Sequence, residues 1–206
     1  TRLVTLTGPG GAGKTRLGLE AANRLSDVFR GAVWFVPLSE RTQACQILES
    51  IAEALRLRRS ADAGPMEGIV SALGHAPALV LLDNFEHLAD GGALVVRNLL
   101  ESLPQLRVLV TSQVRLQVAG EREVPVAPLP IPNGAGTLEA LTAVPSVSLF
   151  VDRAQSARPG FSINERNAAD VADICRKLEG LPLAIELAAA WAHTLTPAQM
   201  LERLSS

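Results

Sequence analysis

The sequence predicts an α/β fold in which a parallel sheet is sandwiched by helices and followed by a small all-helical domain. Three observations point there. A short apolar run containing Leu3, Val4 and Leu6 stops at glycine and proline and leads directly into a helical stretch. A continuous apolar run from Ala78 to Leu82 ends on Asp83, the pattern of a central parallel strand buried on both faces. Beyond a proline- and glycine-rich connector, apolar residues recur only at helical spacing. The expected boundaries are a sheet domain over 1–130, a linker over 131–144 and a helical domain over 145–206.

The first strand is expected over Arg2–Thr7. Behind it, Gly8, Pro9, Gly10, Gly11, Ala12, Gly13, Lys14 and Thr15 match the phosphate-loop pattern G-x-x-x-x-G-K-[ST] without substitution. Glycines let backbone N–H groups converge on phosphate oxygens, and the helix that follows, "KTRLGLEAANRL", adds its positive N-terminal end. Lys14 supplies a compact charge for the β and γ phosphates, and the Thr15 hydroxyl is a ligand for Mg²⁺. The chain has 19 Lys and Arg residues, of which only Lys14 and Lys177 are lysines, so a lysine here is informative. A planar guanidinium replaces a point charge poorly in a tight loop. Arg16 joins the candidate nucleotide-binding residues with Gly8, Gly10, Gly11, Ala12, Gly13, Lys14 and Thr15. The fold class is thus that of P-loop NTPases, with ATP or ADP and Mg²⁺ as the expected ligands.

The next strand is expected over Ala32–Leu38. A helix from about Thr42 to Leu57 should bury Ala44, Ile47, Leu48, Ile51 and Leu55, and "PMEGIVSAL" reads as a second, shorter helix. Asp83, at the end of the central strand, is the expected carboxylate on the metal side of the nucleotide. The residue after it is Asn84, where many hydrolysing relatives carry an acid that orients or deprotonates water; an amide cannot take that proton. Glu86 is the nearest alternative carboxylate. Lys14, Asp83 and Glu86 are therefore the candidate catalytic residues, and slow hydrolysis is expected. His87 reads as a helix-cap or surface histidine. A further strand, Leu106–Val110, ends in Thr111, Ser112 and Gln113, which are expected to point at the γ-phosphate if this strand lies between the two motif strands. A last short strand falls near Glu123–Val126.

From Pro145 onward the chain reads as helical. Val147, Phe150, Val151 and Ala154 form one apolar stripe, and Val171, Ile174, Cys175 and Leu178 another. Ser162 with Glu165, and Thr196 with Gln199 behind Pro197, have capping-box spacing. The net charge of -2 gives no overall basic field for nucleic acid, and the aromatic content of 3% gives few surfaces on which single-stranded bases stack. Cys45 and Cys175 lack any paired-ligand spacing and are expected to be reduced, packed thiols. The most apolar stretch, "LPLAIELAAAWA", is too short to span a bilayer and carries Glu186, and no basic leader precedes an apolar run. A cytoplasmic protein without membrane attachment is expected.

The ordered set "LTGPGGAGKTRL", "LVLLDNFEHL", "VLVTSQ" and "GLPLAIELAA" resembles the STAND ATPases with an NB-ARC-like core. The likeness is greatest to the ATP-binding part of bacterial SARP and large LuxR-like transcriptional regulators. It spans nearly the whole chain, and "GLPLA" is its specific marker. The resemblance implies that Pro182 touches the nucleotide base from the helical domain, that ADP holds a closed resting form, and that exchange to ATP opens it for homo-oligomerisation. Such relatives carry arginine where this chain has Gln113; a neutral amide donates a hydrogen bond but loses charge assistance. The resemblance also implies an upstream segment, a winged helix, sensor repeats and a DNA-binding domain outside residues 1–206, so DNA is expected to be reached only through other domains.

Two other readings stand beside a slow ATPase switch. One is an interaction or oligomerisation module whose nucleotide site has decayed, which Gln113 favours and the intact phosphate loop opposes. The other is a metabolic phosphotransferase, which needs an acceptor pocket with a positioned base that the sequence does not display.

Overall fold

The computed structural model describes residues 1–58, 64–134 and 137–204. Packing divides the chain into two compact units, one of Thr1–Gly8 with Lys14–Val126, the other of Pro9–Gly13 with Ala127–Ser206.

In the first unit the elements run β1 (Leu3–Thr7), α1 (Lys14–Arg24), β2 (Val33–Pro37), α2 (Gln46–Ala54), α3 (Pro65–Leu73), β3 (Ala78–Asp83), a 3-10 turn (Glu86–Leu88), α4 (Ala89–Ser102), β4 (Leu106–Ser112) and β5 (Glu121–Pro125). The five strands form one parallel sheet in the order β2-β3-β4-β1-β5. β4 therefore lies between β1 and β3, the two strands that carry the sequence motifs. Both edge strands end in proline, Pro37 and Pro125, as expected where a ladder donor can be lost at an edge.

β3 is buried along its apolar run because it sits inside the sheet with helices on each face. Its alternate residues go to opposite cores: Val80 and Leu82 pack with Ile47, Ile51, Val96 and Leu99 of α2 and α4, while Leu79 and Leu81 pack with Ala22 of α1. α2 is shorter than its apolar pattern suggests, covering Gln46–Ala54 rather than Thr42–Leu57. Gln46 Oε1 accepts the N–H groups of Thr42 and Gln43, which closes the segment ahead of the helix as a turn. Ile47 and Ile51 are fully buried as expected, and Ala44, Leu48 and Leu55 are half-buried.

The second unit contains α5 (Leu138–Thr142), α6 (Pro145–Ala157), α7 (Ala168–Lys177), α8 (Pro182–Ala190), a 3-10 turn (Trp191–His193) and α9 (Pro197–Arg203). Helix α5 lies inside the stretch read as a linker over 131–144; its N-cap is Thr137, whose hydroxyl accepts the Ala140 N–H. Residues 135–136 of that stretch fall outside the described residues. The core joins Val147, Phe150 and Ala154 of α6 to Val171, Ile174 and Cys175 of α7 and Ile185 of α8, with Phe161 edge-on to Phe150 at 6.0 Å between ring centroids. The capping box at Thr196 and Gln199 is present. The one expected at Ser162 and Glu165 is not: α7 starts at Ala168, and the Ser162 carbonyl instead accepts the Asn164 and Asn167 side-chain amides.

Both cysteines are free. Cys175 is buried, which pushes its thiol up to about 11 through desolvation, but Cys45 is exposed, correcting the expectation of two packed thiols. It directly precedes α2, next to the turn that Gln46 closes.

Candidate nucleotide site

Parallel strands end together, so the carboxyl edge of the sheet collects the side chains at the ends of β1, β3 and β4. The register pairs Thr7 with Ser112 across β1 and β4. Gly8 follows Thr7 with φ 153°, and a Cβ there would lie 2.4 Å from the Val126 carbonyl oxygen, so only glycine fits. Lys14 begins α1 and its Nζ donates to the Gly8 carbonyl at 2.8 Å.

Thr15 Oγ1 donates to Asp83 Oδ1 at 2.7 Å, and Thr111 Oγ1 donates to the same oxygen at 2.6 Å. The Thr111 hydroxyl in turn accepts the Asn84 N–H at 3.0 Å. One carboxylate oxygen is thus held by hydroxyls from the first turn of α1 and the end of β4. Thr15 and Asp83 present two hard oxygens at one place. Among the described residues no group of three or more His, Cys, Asp and Glu is arranged to hold a metal ion. This donor set fits Mg²⁺, which takes one or two protein oxygens and completes its shell with water and phosphate.

The three polar residues at the end of β4 divide. Thr111 is 1% exposed with its hydroxyl bound to Asp83, and Ser112 is buried with its Oγ accepting the Val114 N–H. Both hydroxyls are thus engaged within the protein; of the three, only Gln113 is exposed at the rim, where its Nε2 donates to Glu86 Oε1 at 3.3 Å. Sequence reading missed the part Thr111 plays. Its signal was a hydroxyl ending an apolar strand beside the Asp83 strand, which is visible only once those strands are known to be neighbours. Asn84 has φ 64°, a left-handed conformation that asparagine tolerates better than most residues, which gives it a role as turn former. His87 is exposed, with Nε2 3.0 Å from the Leu38 carbonyl oxygen, and Arg16 lies on the exposed face of α1.

Within the second unit, residues Pro9–Gly13 form a tight turn in which the Ala12 N–H donates to the Pro9 carbonyl at 3.3 Å. Gly10 and Gly13 face open space, with no atom within 4 Å of a Cβ built on either. Pro182 is the first residue of α8 and has no N–H, so Leu183 offers the first donor of the helix; it bonds the Gly11 carbonyl at 3.2 Å. The "GLPLA" segment therefore touches the turn through the backbone of Leu183, a contact sequence reading did not anticipate.

The AAA domain family matches residues 1–125, more than half of the chain. A Mycobacterium tuberculosis protein named as uncharacterized is 39% identical over 204 residues, covering 99% of this chain and 49% of the relative. Another from the same organism, named "Putative HTH-type transcriptional regulator", is 37% identical over 203 residues, covering 98% of this chain and 22% of the relative. The chain thus spans about half the length of the first relative and less of the second. Among solved structures, Cdc6p from Pyrobaculum aerophilum shares the fold with a TM-score of 0.61 at 14% identity, over 93% of this chain and 55% of that one. Drosophila ORC bound to DNA does so with a TM-score of 0.60 at 14% identity, over 99% and 60%.

Proposed function

We propose a molecular switch from a plain starting fact: the chain belongs to the AAA domain family. It binds ATP and ADP with Mg²⁺, hydrolyses ATP slowly, and reports the state of the nucleotide to the rest of a larger transcriptional regulator. The observation that carries this reading is the convergence of Thr15 and Thr111 on Asp83 Oδ1 in the sheet order that sets β4 between the motif strands.

In this reading the amides of Gly8, Gly10, Gly11, Ala12, Gly13, Lys14 and Thr15 cradle the phosphates, with Gly10 and Gly13 facing open space and Lys14 turning from the Gly8 carbonyl to the β and γ phosphates. Thr15 and Asp83 hold Mg²⁺, which when bound neutralises charge developing on the transferred phosphoryl group. Lys14, Asp83 and Glu86 are the catalytic residues. Arg16 and Gln113 flank the phosphates, and Pro182 contacts the base. The Leu183 bond to Gly11 supports a route by which the helix carrying Pro182 responds to the loop. The name of the second relative supports transcriptional regulation, with DNA reached through domains outside this chain and oligomerisation accompanying the ATP state. Among the described residues no helix is long and apolar enough to cross a membrane.

Calorimetric titration of ADP and of ATP, each with Mg²⁺, tests the switch. A clear preference between the two supplies its driving force, whereas equal affinities leave it none, since a ligand shifts an equilibrium only by differential binding. Absence of binding to either would favour the decayed interaction module.

A further inference from the structure

One carboxylate at the sheet rim takes no part in the Asp83 network. Asn84 turns left-handed, its N–H is tied to Thr111, and Phe85 behind it is completely buried. Glu86 is thereby returned to the rim at the start of the 3-10 turn. Its Oε1 accepts from Gln113, while its Oε2 is buried and has no hydrogen-bond partner among the described residues. A buried carboxylate oxygen lacking a donor is costly, so such an atom calls for a donor that binds there. Gln113 directly follows Ser112, whose register partner Thr7 directly precedes Gly8, so the Gln113–Glu86 pair stands at the strand ends from which the phosphate loop departs.

We infer that Glu86 Oε2 receives the proton of the attacking water, and that Gln113 is the positioning residue that fixes Glu86 for this task. The inference rests on the nucleotide-hydrolysing reading above. As the water oxygen bonds to the terminal phosphorus, its proton passes to Oε2. The bond from that phosphorus to the bridging oxygen breaks, its electron pair staying on the nucleoside diphosphate, and Glu86 then returns the proton to solvent. The carboxamide anchors Oε1 without charge. A guanidinium at 113 would anchor it too, but a cation beside a carboxylate favours the ionised form and weakens it as a base. Asn84 and Gln113 thus act together: the acid has moved two residues along the chain, and a neutral partner holds it there.

The test is a double-mutant cycle on this chain, measuring single-turnover phosphate release from Mg-ATP together with nucleotide affinity, with circular dichroism confirming the fold. Glu86→Gln should slow release about 10²-fold, in the range of a lost general base. Gln113→Leu should slow it about 10-fold, and the double variant no more than Glu86→Gln alone, because Gln113 acts through Glu86. Gln113→Arg should also slow release while ATP affinity holds or rises. Multiplying effects in the double variant, or faster release in Gln113→Arg, would mean that residue 113 acts on the phosphate directly and would overturn the inference. A wild-type chain that binds Mg-ATP without turning it over overturns this inference and leaves the switch standing; a chain that binds no nucleotide overturns both.

Discussion

The rim of the sheet and the "GLPLA" helix are built in opposite ways. At the rim, side chains meet side chains: Thr15 and Thr111 each donate to Asp83, at 2.7 and 2.6 Å, and Gln113 donates to Glu86. At the start of α8 the contacts with neighbouring loops run through the backbone. Leu183 donates its N–H to Gly11, and Gly180, at φ 69°, accepts the Leu129 N–H on its carbonyl. A Cβ on Gly180 would lie 2.1 Å from the Leu129 carbonyl oxygen. The rim offers charge and hydroxyls, which are suited to phosphates and a metal. The helix offers shape, which is suited to holding a turn. Substitutions at the rim should therefore alter chemistry at little cost to folding, and those around α8 should cost folding first.

The largest expected effect is that of Lys14→Ala. Losing charge-assisted bonds to phosphate should weaken Mg-ATP binding by about 3 kcal/mol, or roughly 10²-fold, with the thermal midpoint nearly unchanged. A fall in midpoint as large as the fall in affinity would break the contrast. Gly180→Ala should do the reverse. It forces a left-handed residue against a carbonyl, and chemical denaturation should show a loss of roughly 2–3 kcal/mol. Thr111→Val tests the border between the two behaviours, because its hydroxyl is buried and also aligns Asp83. It should cost about 1–2 kcal/mol of stability and raise the Mg²⁺ concentration needed for ATP binding. A change in stability alone would reduce Thr111 to a structural role. Thr196→Ala should cost about 1 kcal/mol through loss of the capping box and leave nucleotide binding untouched.

The smallest effect belongs to the buried thiol. Desolvation raises Cys175 from its ordinary 9.0 to about 11, so its contribution to stability is complete below pH 9 and is lost as pH rises through 11. Cys45 should react with iodoacetamide in the native protein while Cys175 is protected, and equal labelling would show that the α7 core opens readily.

Much of this was legible residue by residue. The apolar run before Asp83 announces a doubly covered strand because burial on both faces removes polar alternation, and the phosphate-loop glycines announce themselves because few other residues can follow that path. The starts of α2 and of α7 were misjudged for a local reason: Gln46 and the Ser162–Asn167 segment satisfy backbone and side-chain polar groups in turns that compete with another turn of helix. Helix α5 inside the expected linker went unread because a helix of five residues leaves almost no periodic trace.

The sequence by itself determined the class of fold, the glycine-rich turn with its lysine, and the two acids Asp83 and Glu86, since each follows from local spacing and residue type. Only the tertiary structure decided which side chains those acids meet. Strand order brings Thr111 to Asp83 and Gln113 to Glu86 across 28 and 27 positions of sequence. Hydrogen bonds of that range depend on which strands become neighbours, and that is settled by burying both faces of the sheet at once rather than by any single segment.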